Sequence, residues 1–310
     1  MISLPARLFR QFLRTQQPVL RLMRHPSHVA LVEPALTALT PLPPGCSLKT
    51  ERIAGRRVLV VHNQQMVGGD DRSLVYLHGG GYNVGSPWTH RAFAARLMQA
   101  GGFARVYIPS YRLAPKHPYP AGLEDMHGVW RALQERHPVS GLLLAGESAG
   151  AGLSLALCQV LRNHGEPLPE RVFLHSPWLD VGLSGRSYHD DGHYDAFLGR
   201  HPGRRTWLDR VFARHYRGGG DPTDPLMSPM HADPSGLPPV YAQVGSEEIF
   251  LDDSRTLEYR FRTHGVPCHL EVWQGMWHAW GMLAPLIPEA NEALTRGGRW
   301  LAHGVVSPGR

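Results

Sequence analysis

Residues 142–152 read LLLAGESAGAG, three leucines followed by small residues crowded around one serine. Leu142 to Leu144 is a short apolar run of the kind a buried strand shows. Beyond it Leu153, Leu157, Val160 and Leu161 recur on one helical face, with Gly165 as a stop signal. Gly146, Ser148 and Gly150 therefore form Gly-x-Ser-x-Gly at a strand-to-helix junction. Such a turn closes only with small neighbours, and it projects the serine hydroxyl. Ser148 is the candidate nucleophile.

Outward from this junction, short β-branched or apolar runs alternate with helical stretches. Strands are expected at Arg57–Val61, Leu74–Leu77, Val106–Ile108, Leu142–Leu144, Val172–Leu174, Val240–Val244 and His269–Trp273. Helices are expected near Thr89–Gln99, Gly122–Arg136, Ala149–Asn163, Ser254–Thr263 and Glu289–Leu301. The alternation predicts an α/β fold, a mostly parallel sheet with helices on both faces. From Asp180 to Arg217 the rhythm breaks among His, Asp, Arg and Gly residues, which marks an insertion.

A serine hydroxyl is a poor nucleophile until a histidine takes its proton, and an acid must hold that histidine in the right tautomer. Of nineteen histidines, His278 in WQGMWHAWG (273–281) follows the last expected strand, where the working groups of open α/β sheets gather. The preceding strand leads into GSEEIFLDD (245–253), which offers Glu247, Glu248, Asp252 and Asp253 as the acid. For the two aspartates, helix N-capping is the simpler role. The order serine, acid, histidine is the one expected of α/β-hydrolases.

YLHGGGYNVG (76–85) places three glycines directly after a strand. Bare backbone there lets peptide N–H groups approach a ligand closely, and such donors stabilise the oxyanion that forms when a hydroxyl adds to an acyl carbon. The amides of Gly80, Gly81 and Ala149 are assigned to this oxyanion hole. His78 is expected to brace the loop. Glu147 should point away from Ser148, Arg112 and Asp125 should form a scaffold pair, and Cys158 should be buried packing. Tyr82, Trp88 and Trp280 are candidates for lining the substrate pocket, with core packing as the competing role for each.

Taken together, these residues resemble the hormone-sensitive-lipase-like esterases, a bacterial branch of the α/β-hydrolases. The likeness spans about Leu74 to Trp280. It rests on HGGGY (78–82), YRLAPKHPYPAGLED (111–125), GESAG (146–150), SPWLD (176–180), the block from Asp224 to Asp253, and WHAW (277–280). It implies Ser148 as nucleophile, His278 as base, Gly80 and Gly81 in the oxyanion hole, and Glu248 as the acid where many relatives carry aspartate. Glu247 stays as the alternative acid. The resemblance further implies an eight-stranded sheet and a helical cap formed by residues 1–45 and 181–217 on a catalytic domain of 46–180 and 218–310. Esters of short to medium acyl chains, and a homodimer, are also implied. Lipase or lactonase activity would use the same triad.

Composition narrows the alternatives. A 310-residue chain with 42% hydrophobic residues can bury a large core. The net charge of +6 is spread along the chain, so no nucleic-acid partner is expected. Cys46, Cys158 and Cys268 are an odd number and widely separated, which argues against a disulfide framework or a zinc site and fits a cytoplasmic location. The first 24 residues scatter arginines among apolar positions and lack the core of a signal peptide, and no run reaches transmembrane length. Leu4, Leu8, Phe12, Phe9 and Leu13 give a basic amphipathic helix, expected to pack on the protein, with membrane-surface contact as the alternative.

No metal or organic cofactor is expected. His189 and His193 stand four apart, but Gly192 and the missing helical period spoil a shared ligand face. The glycine loops match neither Gly-x-x-x-x-Gly-Lys-Ser/Thr nor Gly-x-Gly-x-x-Gly, which disfavours a phosphate or dinucleotide cradle. A ligand receptor on the same fold would not need His278.

Overall fold

A computed structural model describes residues 2–16, 37–38, 40–66, 70–137, 141–189, 194–199 and 208–305. Its centre is an eight-stranded sheet: β1 (Cys46–Ile53), β2 (Arg56–Asn63), β3 (Asp70–Leu77), β4 (Phe103–Pro109), β5 (Leu142–Glu147), β6 (Val172–His175), β7 (Val240–Gly245) and β8 (Cys268–Trp273). The spatial order is β1-β2-β4-β3-β5-β6-β7-β8. β2 runs antiparallel to both β1 and β4, and all other neighbours are parallel. β1 was not expected. Its CSLKTERI sequence carries exposed Lys49, Thr50 and Arg52 on an edge, so it lacks the apolar run that betrays the inner strands.

Six longer helices accompany the sheet: α1 (Leu4–Thr15), α2 (Pro87–Gly101), α3 (Ala121–Arg136), α4 (Ala149–Asn163), α5 (Leu251–Thr263) and α6 (Pro288–His303). Strand alternation divides the core between two faces. Leu142 and Leu144 point with Val75 and Leu77 into a cluster that holds Trp130 of α3, Leu153, Leu157 and Leu161 of α4 and Phe261 of α5. Leu143 and Ala145 point the other way, towards Phe93 and Leu97 of α2 and Leu294 and Leu301 of α6. At about 25 cal/mol per Å2, these two buried layers are the main favourable term in folding.

The apolar residues of α1 divide in a way their spacing did not show. Phe9 and Leu13, with Ile2 just before the helix, pack towards the α2–α6 layer, whereas Leu4, Leu8 and Phe12 face outward. The helix start is fixed at both ends of Ser3. Its Oγ accepts the Ala6 N–H (3.2 Å), while its own N–H and Oγ–H donate to the Glu289 carboxylate (2.6 and 2.8 Å). Two arginines of α1 then reach one acid, Arg10 Nη1 at 2.6 Å and Arg14 Nη2 at 3.0 Å from Glu247. Among the described residues no helix is long and apolar enough to cross a membrane.

Register decides where the functional loops emerge. Leu77 pairs with Gly146, Glu147 with His175, His175 with Gln243, and Gly245 with Trp273. The carboxyl ends of β3, β5, β6, β7 and β8 are thus level. The loops that carry the glycine run, Ser148, Ser176, Glu248 and His278 all leave the same edge of the sheet.

Candidate active site

Ser148 sits between β5 and α4 with φ 54° and ψ −122°, a region that side-chain-bearing residues rarely occupy. A residue held there costs about 1–3 kcal/mol, and the surrounding contacts must enforce it. They do so through missing side chains. A Cβ on Gly146 would lie 2.4 Å from the Gly150 carbonyl oxygen, and one on Gly150 would lie 2.1 Å from that of Leu77 and 2.5 Å from that of His78. The turn is tied further by the Ser148 N–H to the His175 carbonyl (3.0 Å) and by the Trp178 N–H to the Ser148 carbonyl (3.2 Å).

The serine meets a histidine and an acid that are distant in sequence. Ser148 Oγ lies 3.0 Å from His278 Nε2, and His278 Nδ1 lies 3.0 Å from Glu248 Oε2. With Nδ1–H directed at the carboxylate, Nε2 is left free to accept the serine proton. The other Glu248 oxygen accepts from Gly245 N–H (2.7 Å) and Ser176 Oγ–H (2.8 Å), so a fully buried carboxylate is held by three donors. Glu247, the neighbouring alternative, points instead to Arg10 and Arg14 of α1. Asp252 accepts the Ser187 N–H, and Asp253 accepts Leu179 N–H, Asp180 N–H and the Tyr188 hydroxyl. These two aspartates fasten the loops after β6 rather than capping α5, whose N-cap is Phe250.

Burial alone would lower the pKa of His278. The bond and charge of Glu248, with the charges of Glu147 and Asp195, outweigh it and raise the imidazole above its ordinary 6.5. Glu147 does not point away from the site as expected. Its carboxylate lies 3.4 Å from His90 Nε2 and 3.8 Å from His278 Nε2.

The glycine loop supplies bare backbone beside the serine. Gly80 and Gly81 adopt φ of 113° and 59°, and among the described residues no acceptor is paired with the amides of Gly80, Gly81 or Ala149. His78 braces the loop: its Nδ1 bonds the Gly79 carbonyl (2.9 Å), its ring stacks on Tyr111, and Tyr111 Oη donates to the His78 carbonyl (2.7 Å). Burial lowers the His78 pKa to about 3, so the ring is neutral. Arg112 Nε and N–H both bind Asp125, at 3.0 and 2.8 Å, fixing the loop after β4.

A fold family described as alpha/beta hydrolase fold matches residues 74–282. An acetyl-hydrolase of Streptomyces hygroscopicus is 41% identical over 233 residues, 75% of this chain and 76% of that protein. An esterase of Acinetobacter venetianus is 33% identical over 264 residues, 84% and 83% of the two chains. Among solved structures, an esterase from the bacterial hormone-sensitive lipase family superposes with a TM-score of 0.80 at 37% identity, covering 88% of this chain and 89% of that one. The chain belongs to the hormone-sensitive-lipase-like esterases of the α/β-hydrolase fold.

Several residues of this esterase that support the site escaped the sequence reading. Ser176, at φ 48°, bonds both Glu248 and the Ala279 N–H (3.1 Å), joining the acid loop to the histidine loop. Its position directly after β6, level with the loops on either side, was a usable signal. His175 is fully buried, its pKa lowered to about 4 mainly by that burial, and it accepts the Gly281 N–H at 3.1 Å. Asp195, inside the insertion, accepts the His278 N–H at 3.1 Å. Nothing in the local sequence marks that contact.

Of the pocket candidates, Tyr82 is buried and stacked face to face on Tyr216 at 3.7 Å. Trp280 is buried against His175, and Trp88 is 41% exposed at the start of α2. Neither tryptophan is bonded or stacked to Ser148 or His278. His189 Nε2 bonds the Leu183 carbonyl (3.0 Å), and His193 lies outside the described residues. Away from the site, His127, His164 and Glu166 bring three ligand atoms within 4.8 Å of one another, a set chemically suited to a divalent transition metal.

Proposed function

We propose that this esterase hydrolyses short- to medium-chain carboxylic esters through an acyl-enzyme on Ser148. The reading is carried by one observation, the unbroken Ser148–His278–Glu248 line of 3.0 Å contacts beside three amides that have no acceptor among the described residues. Ser148 Oγ adds to the ester carbonyl carbon while His278 Nε2 takes its proton, and the amides of Gly80, Gly81 and Ala149 receive the oxyanion. Collapse expels the alcohol, which leaves with the proton from His278. Water then attacks the acyl-serine by the same exchange, releasing the acid and restoring the hydroxyl. Glu248 keeps the imidazole in its productive tautomer and stabilises the imidazolium without taking a proton. The similarity to an acetyl-hydrolase supports the short end of the acyl range.

We also assign residues 1–45 and 181–217 to a cap on a catalytic domain of 46–180 and 218–310. Support comes from Phe212 and Tyr216, which lie against the oxyanion loop. Asn83 Nδ2 donates to the Phe212 carbonyl (3.0 Å), and a Cβ on Gly81 would meet the Phe212 ring at 2.3 Å. The free thiols at positions 46, 158 and 268 fit a cytoplasmic setting. The mechanism is tested with an organophosphate. Stoichiometric labelling of Ser148 with loss of aryl-ester turnover is expected, and turnover that survives complete labelling of Ser148 would refute it.

A further inference from the structure

His278 is held from two directions, and only one of them is the acid of the proposed triad. Its side chain is fixed by Glu248, but its main chain is fixed by the insertion. Asp195 is fully buried, and both of its oxygens are engaged with backbone donors. Oδ2 accepts the His278 N–H (3.1 Å), and Oδ1 accepts the N–H groups of Phe197 and Leu198 (both 2.9 Å). The short segment that follows is closed by an Asp195–Gly199 bridge, in which the Gly199 N–H donates to the Asp195 carbonyl at 2.7 Å. Phe197, held by that segment, lies nearly parallel to the imidazole with ring centres 6.4 Å apart.

We propose that Asp195 is a positioning residue for His278: its carboxylate ties the histidine's main chain to the insertion, and its charge favours the imidazolium that forms during turnover. This rests on the proposed Ser148–His278 mechanism. The tie matters because the connection between β8 and α6 must place one ring within hydrogen-bond reach of two partners, and anchors such as Ser176 at the Ala279 N–H and His175 at the Gly281 N–H lie beyond the histidine itself. A buried carboxylate accepting from three N–H groups anchors the loop at the residue itself. Burial, with the charge of Glu248, moves the Asp195 pKa up to about 7 against the opposing pull of His278, so its ionisation is linked to that of the ring. The groups facing the imidazole are then Glu248, Glu147 and Asp195 as acids, with neutral His175 nearby.

Asp195→Asn, kept isosteric, tests this. One amide cannot accept from all three N–H groups, and the negative charge is gone. Scored per active site by organophosphate titration of Ser148, kcat for a short-chain aryl ester should fall about 10- to 100-fold with KM changed less than about threefold. The acid limb of kcat/KM should also move to lower pH, because removing a neighbouring anion lowers the His278 pKa. A purely structural role would reduce the number of folded sites but leave the limb in place. That outcome, or wild-type kcat per site, overturns the proposal. Should the amide variant yield no folded protein, Asp195→Glu takes its place. It keeps the charge, so the limb should stay near the wild-type position while kcat falls from the displaced acceptor, and an undiminished kcat overturns the proposal. If Ser148→Ala hydrolyses normally, the parent mechanism fails instead, which is a different result.

Discussion

The elbow around Ser148 and the apparatus around His278 are built on opposite principles. At the elbow, neighbouring residues set the local shape, an apolar strand, a small-residue turn and an amphipathic helix, and distant main chain from Leu77, His78, His175 and Trp178 only closes around it. Around His278, every restraint comes from far away in sequence, with Ser148 130 positions off, Asp195 83 and Glu248 30. The first region is specified by what is omitted, glycines that clear space. The second is specified by buried polar groups that must find partners or impose a desolvation penalty. A local design tolerates no added volume, and a long-range one tolerates no lost partner.

The largest break in this contrast is chemical. Ser148→Ala should lower kcat by about 10,000-fold or more while leaving the unfolding transition intact, as read by stopped assays and thermal melts. Glu248→Gln should cost about 1,000-fold or more in kcat, because the amide cannot satisfy Gly245 N–H, Ser176 Oγ–H and the imidazole together. Glu247→Gln, one residue away, should leave kcat within about twofold. That pair of variants sharpens the assignment of the acid, and equal losses from both would undo it. Gly150→Ala tests the omitted side chain. Its Cβ meets main-chain carbonyls, so about 3 kcal/mol of stability should be lost in denaturant titration, whereas an ordinary helix Gly→Ala change gains stability.

A pH profile tests the polar side. In the proposed mechanism His278 acts as a base only when neutral, and its pKa is raised, so kcat/KM should reach half its plateau above pH 6.5. Stability at this residue runs the other way. A raised pKa in the fold contributes fully below the unfolded value and is lost as pH rises through the folded one. An acid limb centred well below 6.5 would contradict the histidine environment described. The smallest effect belongs to the strap. Glu247→Gln releases Arg10 and Arg14 from α1, part-exposed pairs worth about 1 kcal/mol together, visible as a modest drop in melting temperature.

Legibility in the sequence follows the same division. The inner strands, the helices and the positions of Ser148, Gly80 and Gly81 could be read because each depends on neighbours in the chain. β1 was missed because Lys49 and Glu51 on an edge strand hide the period. Glu147 was expected to point away from Ser148, and nothing near it in the chain shows that its direction is set by His90 of α2. Asp252 and Asp253 looked like helix caps, since helix starts commonly carry acids, yet the fold brings Ser187 and Leu179 to them. Asp195 stood in a stretch with no period at all, and only the return of the insertion onto β8's loop gives it a partner. The resemblance to relatives supplied the choice between Glu247 and Glu248, which the residues alone left open.

Gly150 also sets a limit on how this catalyst can diversify. A Cβ there would run into the carbonyls of Leu77 and His78, so the loop bearing the proposed oxyanion donors and the turn bearing the serine leave no room for a side chain between them. That spacing acts as a fixed gauge. Under the proposed mechanism, the interval between attack and charge capture is then set by main chain, and no side-chain exchange can change it.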